Sequence, residues 1–392
     1  MQFMHPHIFR ADVRQVMLAR APEAWEAVLA AGGEPALPDG MPEALTGLAC
    51  RRWVFESALR RTIAATENVT PYAGHADDVV IERGRVTGLV VDDARLDVDV
   101  VIDASGRSGR LAEQHRPSVE GGPCGLSYVS RMYQARPGVE GPGPIPLRAE
   151  HDGYLVIVFR QDAGTISTLI QRATADKALA GVKETAAFDA AMAAIPHTRP
   201  WTDPERYQPI TPVLPGGGLT NTYRRQVDEE HPAIPGLFFI GDAVSTTNPA
   251  AGRGVGLGMR QVETLLSMLD GDTDTRDVAE RFGAWCEEHI RPWYDDHVWW
   301  DHTQLRRWDG HDLDVEGQLS SDIICAAAQQ DPSLMPTVGP FSGMLIGPQQ
   351  LRTVQEQARA VLRTGWRPAF ADGPTHDELV EVVTTANHEA VH

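Results

Sequence analysis

The sequence predicts a mixed α/β fold: a Rossmann-like domain interrupted by a β-sheet excursion and followed by a helical C-terminal region. Three observations lead there. Two segments, 69–110 and 236–270, each end a β-rich run in glycines. A strand-rich stretch from about 120 to 172 separates them, and beyond about 275 the pattern is almost wholly helical. Open α/β sheets end their strands in glycine turns, and an insertion between two parts of one sheet gives this order. The expected divisions are 1–115 and 236–270 for the two parts of the interrupted domain, 116–235 for the sheet domain and 271–392 for the helical region.

Taken in order, residues 8–31 carry apolar side chains at helical spacing, and Pro22 is placed to start a second helix. "LPDGMPEALTG" (37–47) is a loop by its Pro, Gly and Asp content. A helix follows from about Arg52, with Val54, Phe55, Ala58, Leu59 and Ile63 on one face. Within 69–103 lie three short β-rich runs, two of them joined by a hairpin turn at Arg83-Gly84. The strand "GLSYVSRMYQ" and the hairpin "GYLVIVFRQDAGTISTLIQR" come next, with the Pro/Gly loop "RPGVEGPGPIP" between them. Residues 183–195 read as a short helix and 196–235 as turns rich in proline. A strand at 236–240 and a helix from near Gly254 lead into the C-terminal helices, which break near 331–348 and 366–374.

With 392 residues the chain can bury a substantial core, as two domains or one large one with an excursion. A formal net charge of −19 argues against a nucleic-acid backbone or an anionic membrane surface as partner. Cys50, Cys124, Cys286 and Cys325 are far apart, a spacing that suits neither a zinc site nor a disulfide framework. No apolar run is long enough to span a bilayer, and "MQFMHPHIFR" lacks a signal peptide's apolar core. A cytoplasmic protein with a small-molecule substrate is the expectation; the oligomeric state stays open.

Chemistry concentrates at Gly241-Asp242. A carboxylate at the C-terminal end of a buried strand sits where open α/β sheets bind ligands, and it accepts hydrogen bonds from ligand hydroxyls. The run Gly252-Arg253-Gly254-Val255-Gly256 offers backbone N–H groups at a helix N-terminus, and glycine lets that backbone approach a ligand closely. The plainer alternative is an aspartate that caps a helix after an ordinary glycine turn.

The whole stretch "GLFFIGDAVSTTNPAAGRGVGLGM" (236–259) is more specific: it resembles the second FAD-binding motif of the flavin-dependent aromatic hydroxylase superfamily. That group also contains geranylgeranyl reductases and flavin-dependent halogenases. Its pattern is an apolar strand, Gly-Asp-Ala, small residues, Pro, two residues, Gly-x-Gly and a helix, matched here by Gly241, Asp242, Pro249, Gly252 and Gly254. The resemblance implies that Asp242 binds the ribityl chain of FAD. It also implies that the backbone of Gly252, Arg253, Gly254 and Val255 lies against the pyrophosphate and the flavin edge. Arg253 stands where many members have glutamine. "DVVIDASGRSGR" (99–110) is similar to the family strand whose end, here Asp103, Ala104, Ser105 and Gly106, passes the adenosine side. In "CRRWVFESALRR" (50–61), Arg52, Phe55 and Leu59 fit the spacing of a family helix, which makes Arg52 a phosphate or ribose contact. Ala76 falls where the backbone meets adenine.

One departure is large. The family opens with a strand, GxGxxG and a helix that holds the pyrophosphate, and this sequence contains no such unit. Two explanations compete: a longer protein whose start lies upstream, or a chain that binds FAD poorly or not at all. The intact remaining motifs favour the first.

Other candidates are weaker. His5-Pro6-His7 reads as an exposed turn, with a contact to cofactor or substrate as the alternative. The helix at 281–308 carries Trp285, Trp293, Tyr294, Trp299, Trp300 and Trp308 with His289, His297 and His302. Core packing is the simplest account; an aromatic wall over substrate, or metal ligation by His297, Asp301 and His302, are sharper ones. Tyr128, Met132, Tyr154, Val156 and Val158 are the expected apolar linings of a substrate pocket, although a sheet buries half its side chains anyway. The resemblance implies a monooxygenase (hydroxylase or epoxidase) that uses NAD(P)H-reduced flavin and O2. Double-bond reductase is the runner-up, and the absence of a WxWxIP stretch lowers the case for a halogenase. A non-catalytic remnant or binding protein is the alternative of another class.

Overall fold

The first two helices divide where proline requires it: α1 runs Ala11–Arg20, Ala21 leaves helical geometry, and Pro22 occupies the first turn of α2 (Pro22–Ala30). The computed structural model describes residues 4–37, 40–141, 148–271 and 274–390. The loops expected at 37–47 and 136–146 therefore fall partly outside the described residues, as do the first three residues of the N-terminal stretch. Strands β1 (Glu34–Ala36) and β2 (Gly47–Ala49) pair antiparallel, and Phe9 bridges to Leu48. Helix α3 (Arg52–Ala65) buries Val54, Phe55 and Ala58 against Phe9, Val13, Met17 and Trp25. Ile63, expected on that face, is half exposed because the helix end runs past its neighbours.

A meander follows: β3 (Ala76–Glu82), β4 (Arg85–Val91) and β5 (Ala94–Asp97). Its first turn has φ of 53° at Arg83 and 74° at Gly84, the left-handed pair that suits a two-residue hairpin. Strand β6 (Val101–Asp103) then enters the core and ends at the Ala104–Gly106 turn.

The excursion opens with β7 (Glu120–Pro123), β8 (Leu126–Ala135), β9 (Arg148–His151), β10 (Tyr154–Arg160) and β11 (Thr165–Ala173). Helices α4 (Thr185–Ala194) and α5 (Arg199–Thr202) follow, then β12 (Tyr207–Pro209), β13 (Leu214–Gly216) and β14 (Thr220–Tyr223). One antiparallel sheet has the order β12-β8-β11-β10-β9, with β13 also on β8. Its outer face carries Val129, Tyr133, Tyr154, Val156 and Val158 against α4. Tyr128, Leu155, Ile157, Phe159 and Leu169 form the inner face, against Ile8, Leu219 and Trp308. Met132 alternates with Tyr133 onto this inner side. Of the expected pocket linings, Tyr128 and Met132 thus face inward, whereas Tyr154, Val156 and Val158 are corrected to the helix-covered face.

The chain then returns. Strand β15 (Leu237–Phe239) lies parallel to β6, with Phe239 opposite Asp103, and all three of its residues are buried. The short β16 (Ser245–Thr246) pairs with β14. Helix α6 (Gly254–Gly271) packs on α1, and α7 (Thr275–His289) and α8 (Arg291–Trp308) continue the core. The remainder is short helices: α9 (Ser321–Ala327), α10 (Met335–Ser342), α11 (Pro348–Leu351) and α12 (Gln355–Arg363), and finally α13 (His376–Glu389). Trp293 stacks on Phe341 inside this core, and α13 packs against α4 to complete the cluster over the outer face of the sheet. No helix among the described residues is long and apolar enough to cross a membrane.

Candidate functional site

The parallel pair β6–β15 delivers two chain turns to one place. Ile240 N–H bonds the carbonyl of Asp103 (3.0 Å), after which Gly241 turns with φ of 64°. Its N–H is held by Gln261 Oε1 of α6 at 2.5 Å. Asp242 follows, between two glycines: a Cβ built on Gly106 would lie 3.9 Å from Asp242 Cβ, and one on Gly254 would lie 3.7 Å from its Oδ1. The carboxylate is exposed to a cleft, yet protein crowds it at longer range. That crowding raises its pKa above the ordinary range, against the pull of Arg52 and Arg107.

The helix start faces the same place. The first turn of α6, Gly254-Val255-Gly256, carries N–H groups with no intrahelical acceptor and the positive end of the helix dipole. Gly252 has φ of 62°, and a Cβ there would fall 1.8 Å from Ile8 Cγ2, so both backbone and packing demand glycine. Pro249 opens the short turn Pro249–Ala251, whose Ala250 N–H is accepted by the Asn248 side chain (3.2 Å).

Across from Asp242, Asp103 is buried and accepts the N–H of Ser105 (2.8 Å), shaping the exposed Ala104-Ser105 turn. A cleft of about 330 Å³ is lined by Gly106, Arg107, Gly109, Arg116, Arg224 and Asp242, among others. Burial and neighbouring Arg224 push Arg116 down to about 10, and its guanidinium lies 3.6 Å from the Phe239 ring centroid. A larger concavity of about 440 Å³ lies on α6 and α7 around Glu263, Ser267 and Arg281, and contains none of the predicted site residues. The Asp242 cleft is the one with chemistry at its edge.

Similarity to known proteins is confined to structure. No family model matches the sequence, and no curated protein matches it. A putative FAD-containing monooxygenase from Photorhabdus luminescens subsp. laumondii TTO1 superimposes with a TM-score of 0.58 at 13% identity, covering 79% of this chain and 90% of that one. The flavin-dependent brominase Bmp2 gives 0.53 at 16% identity over 84% and 90% of the two chains. PqsL, a probable FAD-dependent monooxygenase from Pseudomonas aeruginosa, gives 0.54 at 14% over 76% and 85%. The chain has the fold of the FAD-dependent monooxygenases and halogenases.

Within this flavoprotein fold, the residues present fit the ribityl and flavin end of FAD. An open carboxylate, two flanking glycines and unpaired helix N–H groups converge there, the donor and acceptor set that a polyhydroxyl chain and a flavin edge call for. Arg52, at the first turn of α3, bonds Glu56 and meets His7 Nε2 (3.2 Å), and its charge reaches Asp242. Ala76 begins β3, exposed, and does not line the Asp242 cleft.

Arg253 points the other way. It is buried, 2.8 Å from Asp296 Oδ2, and its guanidinium lies over Trp293 (4.9 Å) and Trp300 (5.1 Å). Its Nη1 is 3.3 Å from His297 Nδ1. Arginine only donates, so Nδ1 accepts and the imidazole is neutral with its proton on Nε2. Burial, then Arg253 and Arg148, hold the His297 pKa well below its usual value. His297 and Asp301 are neighbours at 3.7 Å, but His302 is on the exposed side, stacked on Trp299. The structure does not bring the three together, and no group of three potential ligands occurs among the described residues.

His5-Pro6-His7 is corrected from an exposed turn. His5 is buried, 2.8 Å from Ser130 Oγ on the inner face of the sheet and edge-on to Tyr128. Burial and Arg52 push His7 down to about 4. The sequence reasoning missed Asn248, Gln261, Arg107 and Arg116. The glycine-rich "SGRSGR" context marks Arg107, but nothing local marks a glutamine two turns inside a helix.

Proposed function

We propose that this chain is an FAD-dependent oxidoreductase, a monooxygenase (hydroxylase or epoxidase) acting on a small apolar or aromatic molecule with NAD(P)H as reductant. The observation that carries the reading is Asp242, open to the cleft between Gly106 and the first turn of α6. FAD held there would supply the redox chemistry, taking electrons from NAD(P)H and passing them to O2, and the chain's own residues would hold and orient it. Asp242 would accept hydrogen bonds from ribityl hydroxyls, the Gly254 and Val255 N–H groups would serve an anionic or carbonyl edge, and the parallel pair β6–β15 with α6 would orient both. The apolar inner face of the sheet, with Tyr128, Met132 and Leu155, supplies a water-poor substrate side.

The test is the visible spectrum of the purified chain during titration with FAD, followed by O2 uptake with NADH or NADPH. Perturbed flavin bands and coupled O2 consumption support a monooxygenase. NAD(P)H oxidation without O2 uptake moves the reading to a double-bond reductase. A second reading, a binding protein without turnover, is favoured by one observation: the parallel sheet has two strands among the described residues. A chain that never perturbs the flavin spectrum selects it.

A further inference from the structure

Asp301, in the middle of α8, is buried and accepts two side-chain amides. Its Oδ2 takes Asn221 Nδ2 at 2.7 Å and its Oδ1 takes Asn248 Nδ2 at 2.9 Å. A carboxylate ion offers acceptors only, so both asparagines must turn their NH2 groups toward it. Their oxygens are then committed elsewhere. Asn221 Oδ1 takes the backbone N–H of Asn248 (2.7 Å). Asn248 Oδ1 takes the N–H of Ala250 (3.2 Å) and the amide of Gln171 (3.2 Å), whose own oxygen receives Gln304 Nε2 (3.4 Å). The ring Asp301–Asn221–Asn248 therefore closes on itself, linking α8, β14 and the turn Pro249–Ala251. Gly252 N–H bonds the Pro249 carbonyl (2.9 Å), so that turn sets where Gly252 and the start of α6 stand.

We propose that Asp301 is a positioning residue: by fixing which way the Asn248 amide points, it holds the 249–254 turn in the shape that receives the flavin. The ligand in this statement rests on the reading above; the positioning does not. Were residue 301 an asparagine, one of its two groups would be a donor facing a donor, and one bond of the ring would be lost. A leucine would remove both acceptors and leave the Asn248 amide held only through its oxygen, by the Ala250 N–H and Gln171.

The experiment measures hydrogen exchange of the chain without ligand, and FAD affinity by fluorescence titration, for the wild type, Asp301→Asn, Asp301→Leu and Asn248→Ala. His302→Ala, on the exposed side of α8, is the control. The expected result is exchange at least tenfold faster at Ala250 and Gly252, confined to the turn. It should be largest in Asp301→Leu and Asn248→Ala and smaller in Asp301→Asn, with FAD binding weakened in the same order. If Asp301→Leu does not fold, Asp301→Asn and Asn248→Ala decide. Unchanged exchange at the turn overturns the proposal. Exchange that rises equally throughout the chain also overturns it, since Asp301 would then only hold the fold together. Local loosening in the variants of a wild type that binds no FAD upholds the positioning role and removes the flavin reading instead.

Discussion

Asp242 and Arg253 sit on one connection, between β15 and α6, in opposite surroundings. Around Asp242 the protein leaves space: glycines flank it, its carboxylate opens to a cleft, and helix N–H groups nearby have no internal acceptor. Around Arg253 the protein closes: Asp296, His297, Ser321 and three aromatic rings surround the guanidinium. Polar groups that a fold satisfies internally hold the scaffold, and those it leaves facing a concave space are available to a ligand. The connection is pinned from behind so that its front can stay open.

Truncation of Arg253 should break this comparison most strongly. Arg253→Ala leaves the buried Asp296 without its charged partner, with only the Ser321 hydroxyl still donating to it, at a cost of about 3–5 kcal/mol, read as a large loss in the denaturation midpoint. Asp242→Ala should do the reverse, with near-native stability but FAD affinity weakened by about 1.5–3 kcal/mol, roughly 10- to 100-fold, in a fluorescence titration. A midpoint that falls as far in Asp242→Ala as in Arg253→Ala would erase the distinction.

Asp12 sharpens it through pH. This buried carboxyl has an oxygen with no hydrogen-bond partner among the described residues, faces Gly256, and is raised to about 7, chiefly by burial. With the folded pKa above the unfolded one, the native state holds the proton longer, and stability falls as pH rises from about 4 to 7. Asp12→Asn, which removes this titration, should therefore be at least about 1–3 kcal/mol more favourable relative to the wild type above pH 7 than below about pH 4. Denaturation at the two extremes checks the sign. The smallest effect belongs to His302→Ala, expected within about 0.5 kcal/mol because the ring is exposed.

Much of the scaffold was legible in the sequence. Pro22 placed a helix boundary, Arg83-Gly84 placed a hairpin, and Gly-Asp after an apolar run placed a strand end. The short strands β12, β13 and β14 were not visible: each has three or four residues, and Pro209 and Pro215 disguise two of them as turns. The face of β10 was equally hidden, since six of its seven residues are buried and period-two alternation has no polar side to point with. At the site, local pattern found Asp242 and the glycines, whose role is set by backbone. It mistook the surroundings of Arg253 and His5, because the groups that bury them lie on α8 and β8, far away in the chain.

The packing of α13 on α4 bears on the order in which the protein is made. Tyr154 donates its hydroxyl to the Pro374 carbonyl (2.8 Å), and Leu379 and Val383 close the cluster that contains Tyr154, Val156 and Val158. Those sheet residues leave the ribosome roughly 200 residues ahead of the helix that completes their cover, a delay of about 10–40 s at ordinary synthesis rates. Throughout that interval the nascent sheet presents an incompletely covered apolar surface, so the growing chain depends on α4 and the residues flanking it (Leu179, Val182 and Trp201), or on a chaperone, to keep it from sticking to its neighbours.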